Sequence, residues 1–416
     1  MKQSKIYTLK NGLKVVFYQD TTKHLSFAEL IVKYGGINNK FTLNNKEYHI
    51  NDGMAHFLEH LLIEHSIYGN TLEHFHNNHI STNGLTSIKR TKFYIKTAKN
   101  FLDNLEKLIK IVNQPIFNEE DIEKTKPAIY EEIRKGKDNN FKMLFNLEKS
   151  CLFNNIDAKS VLGEIEDIQN INYEMAKLCH DVFYQPQNQI LAIAGNVDIE
   201  KTLELIEKVY DEINIKKIEY QVPTIAEPNE VANLNDFICR DIENDFVRIA
   251  YKINIASLSP YERVKLTFYI GYFLDYNFDE TSINYKKLID DKISVNNINN
   301  NVSFIDNFMI ITIDTYTDKH DEFINLIKTA IESKTIDKED FEIRKKRTLI
   351  NLLLREENFM SMINPFVDNI LSFDYYENDK IEDIEAENYE EYSDIIHSLD
   401  FSNYTILKML KKDKLG

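Results

Sequence analysis

The sequence predicts an α+β fold made of two similar domains, each with helices packed on a largely antiparallel sheet. Three observations carry this. Strand-like and helix-like apolar patterns interleave along the 416 residues without the strict strand–helix–strand rhythm of a parallel sheet. A stretch of little periodicity, Ile218–Ala232 with Pro223 and Pro228, divides the chain near its middle. Beyond it the pattern restarts: Phe117-Asn-Glu-Glu-Asp121-Ile122 and Ile336-Asp-Lys-Glu-Asp340-Phe341 each lead into a helix, 219 residues apart. The expected organisation is a domain over 1–217, a linker over 218–232 and a second domain over 233–416.

Taken in order, Lys5–Leu9 and Leu13–Tyr18 flank Asn11-Gly12 and read as a hairpin, whose type I′ turn takes positive φ at both central residues. Leu25–Tyr34 is a second strand, ended by Gly35-Gly36. Asn51 or Asp52 then caps a helix from about Gly53 to His65. Thr91–Thr97 sets Phe93 and Ile95 against Lys92 and Lys96, the alternation of a half-buried strand. Two helical patterns follow, Phe101–Val112 and Asn118–Lys135, the second containing Pro127. A last strand, Ile190–Ala194, closes at Gly195. In the second half Phe323–Ile331 precedes the repeated segment as Phe101–Val112 does in the first.

Lys and Arg number 50 against 67 Asp and Glu, a formal charge of −17. Such a surface repels phosphate backbones, which argues against a nucleic-acid partner. Cys151, Cys179 and Cys239 lie far apart and in no CxxC spacing, so neither a disulfide framework nor a thiolate metal site is indicated. No run of 18 apolar residues offers a membrane span, and the N-terminal MKQSKIYTLKNGLKVV has no apolar secretion core. A cytoplasmic location is expected.

Chemistry is concentrated in Asp52-Gly-Met-Ala-His56-Phe-Leu-Glu59-His60-Leu-Leu. His56 and His60, four apart, share one face of a helix, a spacing at which two imidazoles bind one Zn²⁺ at about 2.0–2.1 Å. Glu59 lies beside them and can take a proton from a metal-activated water as it attacks a carbonyl. H-x-x-E-H is a zinc-peptidase order, the reverse of H-E-x-x-H. The plainer reading is two histidines on an ordinary amphipathic helix. Against it, Phe57, Leu58, Leu61 and Leu62 bury this helix, where unpaired histidines are costly. A catalytic zinc needs a third protein ligand. The candidate lies in Ala128-Ile-Tyr-Glu131-Glu132-Ile133, where the two glutamates point about 100° apart and only one can face the metal. His65, His74, His76 and His79 compete less well, since each requires the chain to turn back at once.

These segments resemble the M16 (insulinase, or inverzincin) family of zinc metallopeptidases, most closely the short bacterial members whose halves pair into a chamber. His56–His60 matches the family's H-x-x-E-H. Asn83-Gly-Leu-Thr86-Ser87, followed by Arg90-Thr91-Lys92-Phe93-Tyr94, is similar to its N-A-x-T-S strand segment. Ile129-Tyr-Glu131-Glu132-Ile133 is similar to its V-I-x-E-E-I helix, and Val161-Leu-Gly163 and Phe183-Tyr184 through Ile190–Asp198 to its later landmarks. The resemblance implies a half-chamber of that fold, with His56, His60 and Glu132 as zinc ligands and Glu59 as general base. It also implies that Asn83, Gly84, Leu85 and Thr86 align an extended peptide substrate as an added strand. The 219-residue offset carries Glu132 onto Asn351 and His56–His60 onto Asp275–Asp279, which holds no histidine, so the metal belongs to the first domain alone.

Three departures stand out. His60 and Glu132 are 72 residues apart, a few fewer than is usual in the family. Thr125 stands where a second acidic residue is often found. Asn284–Val295 lacks the Arg and Tyr that hold the scissile carbonyl in the family, and Tyr285 and Lys287 do not restore their spacing. An intact metal site without this clamp implies a heterodimer with a paralogous M16 subunit that carries it, with a homodimer as the alternative. The expected function is that of a zinc metalloendopeptidase subunit acting on small or unfolded peptides, in general clearance or in maturation of a ribosomally made peptide. The rival is a non-catalytic scaffold subunit of the same fold.

Overall fold

The computed structural model of the chain describes residues 2–156, 161–295, 298–355, 359–376 and 381–412. From the N-terminus, β1 (Lys2–Thr8), β2 (Lys14–Asp20) and β3 (Ser26–Val32) precede a small hairpin of β4 (Lys40–Leu43) and β5 (Lys46–His49). Then come α1 (Met54–Glu64), α2 (Thr71–Asn77), β6 (Ser81–Thr86), β7 (Thr91–Thr97), α3 (Phe101–Asn113) and α4 (Glu119–Asp138). Next are α5 (Asn140–Leu152), α6 (Ile165–Gln169), α7 (Tyr173–Phe183), β8 (Gln189–Gly195), α8 (Ile199–Ile213) and β9 (Tyr220–Gln221). The second half opens with β10 (Asn235–Arg240), β11 (Phe246–Asn254), α9 (Pro260–Phe278), α10 (Ile283–Asp290), β12 (Asn299–Ile305) and β13 (Phe308–Tyr316). It ends with α11 (His320–Ser333), α12 (Lys338–Arg355), α13 (Phe359–Phe373), α14 (Ile381–Ala386), α15 (Tyr389–Ser398) and β14 (Tyr404–Lys411).

The chain divides into two compact units, and they are not contiguous in sequence. One comprises Met1–Asn139, Ser160–Ile225 and Asn358–Val367, the other Asn140–Lys159, Ala226–Glu357 and Asp368–Gly416. In the first, a six-stranded sheet runs β1-β2-β8-β3-β7-β6, antiparallel except for the β2–β8 pair. The central strands β3 and β8 are buried along their whole length. Val15, Phe17, Leu30, Val32, Phe93 and Ile95 on the sheet pack with Leu58 and Leu61 of α1, Leu108 and Val112 of α3, and Cys179 and Val182 of α7. Apolar burial of this size is the main stabilising term of the unit. Strand β6 forms one edge of the sheet and leads straight to the functional residues below.

The second unit repeats the plan with a five-stranded sheet, β10-β14-β11-β13-β12, parallel only at β10–β14. The sequence repeat is real in the fold: α11 and α12 each begin 219 residues after α3 and α4. Helix α5 belongs to this unit, where Arg248 on β11 bonds Glu148 of α5 at 2.8 Å and Asp314 of β13 at 2.7 Å. Among the described residues, no helix is long and apolar enough to cross a membrane.

Two local expectations are corrected. In the first hairpin only Gly12 has positive φ, and Asn11 instead accepts the Leu13 N–H on its Oδ1 at 3.1 Å. The Gly12 N–H donates to Leu9 O, so this is a turn closed by one left-handed glycine, not a type I′ turn. At the start of α1 neither Asn51 nor Asp52 caps the helix. Gly53 does, at φ 83°, with no side-chain cap bond, while Asp52 Oδ1 accepts from Asn39 Nδ2 at 2.8 Å. A Cβ at position 53 would sit 2.3 Å from the Leu162 carbonyl oxygen, so this close seat requires glycine.

Candidate metal centre

Helix α1 is buried nearly all round, with Ala55, Phe57, Leu58, Leu61 and Leu62 in the core. That packing fixes the rotation of the helix and sets His56 and His60 side by side, ring centroids 4.7 Å apart. Helix α4 is started by a reciprocal capping box between Asn118 and Asp121. It buries Ile122, Thr125, Ile129 and Ile133 along one stripe and carries Pro127 within. The contacts of α1 with α4 bring Glu132 onto the two rings.

The donor atoms converge. His56 Nε2 lies 3.4 Å from Glu132 Oε2, and His60 Nε2 lies 3.4 Å from Glu132 Oε1. Among the described residues these three form a group whose ligand atoms all fall within 4.8 Å of one another. For metal–ligand bonds of about 2.1 Å, the edge of a coordination tetrahedron is about 3.4 Å. Both histidine–Glu132 separations match that edge, so this donor set of two imidazoles and one carboxylate suits a divalent ion with a further position open. His56 is 8 % exposed, whereas the Glu132 side chain is 42 % exposed, so the group opens to solvent on the α4 side. Glu131 points away and pairs with Arg134. His65 is turned to Asp121, and neither it nor His74, His76 or His79 joins the group.

Glu59 is 7 % exposed and stands beside the three donors without belonging to them. Its Oε2 accepts a 2.6 Å hydrogen bond from Thr86 Oγ1 on β6. Burial lifts its carboxyl above the ordinary range, against the Thr86 bond and the nearby His60, which both lower it. For His60, burial works to lower the pKa, but the flanking Glu132 and Glu64 outweigh it and push the ring up to about 9. The site is therefore built to attract positive charge. Gly84 supplies room: a Cβ there would lie 2.6 Å from both Glu59 Oε1 and Ile63 Cδ1.

Asn83, Gly84, Leu85 and Thr86 all lie on β6, which pairs only with β7 in the sheet. Leu85 is 49 % exposed, and the Gly84 N–H donates to Asn83 Oδ1 at 3.0 Å. The Thr86 side chain is committed to Glu59, a contact that spacing alone does not reveal. Glu64 was also missed. It bonds His60 Nδ1 at 2.9 Å, and its position four residues on along the same helix was the available signal.

Residues 14–163 match the family model described as insulinase (peptidase family M16), and residues 170–348 the one described as peptidase M16 inactive domain. The chain belongs to the M16 peptidase family. It is 32 % identical over 201 residues to the uncharacterized zinc protease YmfH of Bacillus subtilis, 48 % of this chain and 47 % of that protein. It is 25 % identical over 258 residues to the zinc protease PqqE of Helicobacter pylori, 59 % and 56 % of the two chains. The beta subunit of the mitochondrial-processing peptidase of Dictyostelium discoideum is 23 % identical over 257 residues, 60 % of this chain and 53 % of that one. The chain thus spans about half the length of these relatives. In structure it superposes on an M16-like peptidase from Alicyclobacillus acidocaldarius with TM-score 0.89 at 20 % identity, over 99 % of both chains. Against pitrilysin the TM-score is 0.72 at 18 % identity, over 99 % of this chain and 45 % of pitrilysin. These superpositions establish the M16 fold.

Proposed function

We propose that this chain is the metal-bearing subunit of a zinc metalloendopeptidase that hydrolyses small or unfolded peptides in the bacterial cytoplasm. One observation carries the reading: three metal-compatible side chains converge beside a buried carboxylate held from an edge strand. His56, His60 and Glu132 would hold the ion. A bound zinc ion supplies Lewis acidity, which acidifies water toward a pKa of about 7 and polarises a carbonyl.

Glu59 acts as the general base. Thr86 occupies its Oε2, so Oε1 receives the proton of the attacking water and returns it to the leaving amine. Burial raises its proton affinity and suits it to both transfers. The free edge of β6, at Asn83, Gly84, Leu85 and Thr86, aligns an extended peptide through backbone hydrogen bonds that are independent of side-chain sequence. The zinc-protease names of the relatives support the chemistry, and the subunit name of the mitochondrial relatives supports pairing.

Within this reading residues 1–217, apart from the 140–159 segment that joins the second unit, bear the metal, 218–232 form the linker, and 233–416, apart from 358–367, form a second domain without metal. Asn284–Val295 contains no Arg, and its Tyr285 does not restore the clamp's spacing, so the carbonyl clamp comes from a paralogous M16 subunit in a heterodimer. The test is hydrolysis of a fluorogenic unfolded peptide by the zinc-loaded chain, alone and with an M16 chain encoded beside it. The pair should cleave, and Glu59→Gln should retain zinc and abolish cleavage. Full activity of the chain alone would overturn the heterodimer, and an inert zinc-loaded pair would favour the scaffold reading.

A further inference from the structure

We propose that Glu64 is the residue that positions His60 for metal binding, an inference that rests on the peptidase reading above. A histidine that binds a metal through one ring nitrogen needs a fixed partner for the other, which sets its tautomer and aim. His60 turns Nε2 toward Glu132, and its Nδ1 lies 2.9 Å from Glu64 Oε1. Because the two ring nitrogens point away from each other, Glu64 and Glu132 address opposite sides of the imidazole. Glu64 therefore cannot share the ion and acts through the ring.

The Glu64 carboxylate is itself held. Thr125 Oγ1, on the fully buried Thr125 of α4, donates to Glu64 Oε2 at 3.3 Å. The same hydroxyl lies 3.3 Å from His65 Nε2, and His65 Nδ1 lies 3.2 Å from Asp121 Oδ1. A surface pair four residues apart on a helix is ordinarily loose and weak. Here Thr125 of α4 holds the Glu64 carboxylate directly, and Asp121 of α4 steadies His65 at the end of α1 beside it. At this point α4 offers a hydroxyl rather than a carboxylate, so the negative charge behind His60 comes from α1 itself.

The test measures zinc affinity by competition with a chromophoric chelator in the full chain, for wild type, Glu64→Gln and Glu64→Leu. It also records the visible spectrum of each protein loaded with cobalt, and the melting temperature without metal. Glu64→Leu should bind zinc about 10- to 100-fold more weakly and shift the cobalt bands. Glu64→Gln, which keeps an acceptor for Nδ1–H, should fall between the two and carries the comparison if the leucine variant does not fold. Zinc affinities within twofold of wild type and unchanged cobalt spectra would overturn the proposal. So would equal losses in both variants that follow a lowered melting temperature. A wild-type chain that binds neither metal would overturn the peptidase reading itself.

Discussion

Thr86 Oγ1 lies 2.6 Å from Glu59 Oε2, so edge strand β6 and helix α1 meet in a short hydrogen bond. The bond ties the strand proposed to align substrate to the carboxylate proposed to move the proton.

Replacing Thr86 with valine keeps the shape and removes the donor. In a peptidase assay, Thr86→Val should lower kcat by about tenfold to a hundredfold, because a misaimed base loses most of its advantage. Zinc content should stay at the wild-type level, and Thr86→Ser should recover most of the rate. An unchanged kcat in the valine variant would show that Glu59 needs no anchor.

Gly84→Ala places a methyl 2.6 Å from Glu59 Oε1 and Ile63 Cδ1. The added carbon should displace Glu59 and reduce hydrolysis, at a stability cost of about 1–3 kcal/mol by chemical denaturation. Wild-type stability and activity together would mean that this approach is not tight.

His180 gives a pH signature away from the metal centre. Burial holds it down to about 4, and its Nε2–H donates to the Val112 carbonyl at 2.9 Å. The unfolded chain protonates this ring near 6.5, so between those values the unfolded state binds more protons. Stability is therefore fully present above about pH 6.5 and is lost as pH falls toward 4. Between pH 7 and pH 5 this one group should cost about 2 kcal/mol. Urea unfolding of wild type and His180→Gln at both values measures it, and a pH dependence identical in the two proteins would refute the assignment.

In the second unit, Lys252 and Glu227 form a pair whose side chains are 0 % and 2 % exposed, with Nζ 2.7 Å from Oε1. Glu227 also accepts the N–H groups of Asn154 and Asn155 at 2.9 and 2.8 Å, which ties the segment after α5 to the segment before β10. Lys252→Met strands a buried carboxylate and should destabilise the unit by about 3–5 kcal/mol in denaturant titration. A loss under 1 kcal/mol would mean that water reaches the pair.

What could be read from the chain and what could not follows from the range of the forces involved. Thr91–Thr97 was legible to the residue because alternation is a local property, and β7 spans the same seven residues. His56 and His60 were legible because their spacing matches the helical turn. The cap of α1 was not: Gly53 is selected by the carbonyl of Leu162, which is distant in sequence. Nothing local announces that the Thr86 hydroxyl meets Glu59 across 27 residues. The grouping of α5 with the second unit rests on Leu144 and Cys151 packing with Phe246, Leu407 and Met409 and on Glu148 bonding Arg248, contacts that chain order conceals. Glu64, by contrast, carried a local signal in its helical spacing from His60.

The central claim is that one divalent ion sits among His56 Nε2, His60 Nε2 and the Glu132 carboxylate. Diffraction from zinc-loaded crystals, recorded on both sides of the zinc absorption edge, tests it most directly. A single anomalous peak about 2.0–2.2 Å from all three donors is the predicted result. No peak between the rings, or a peak from which Glu132 is turned away, would contradict it.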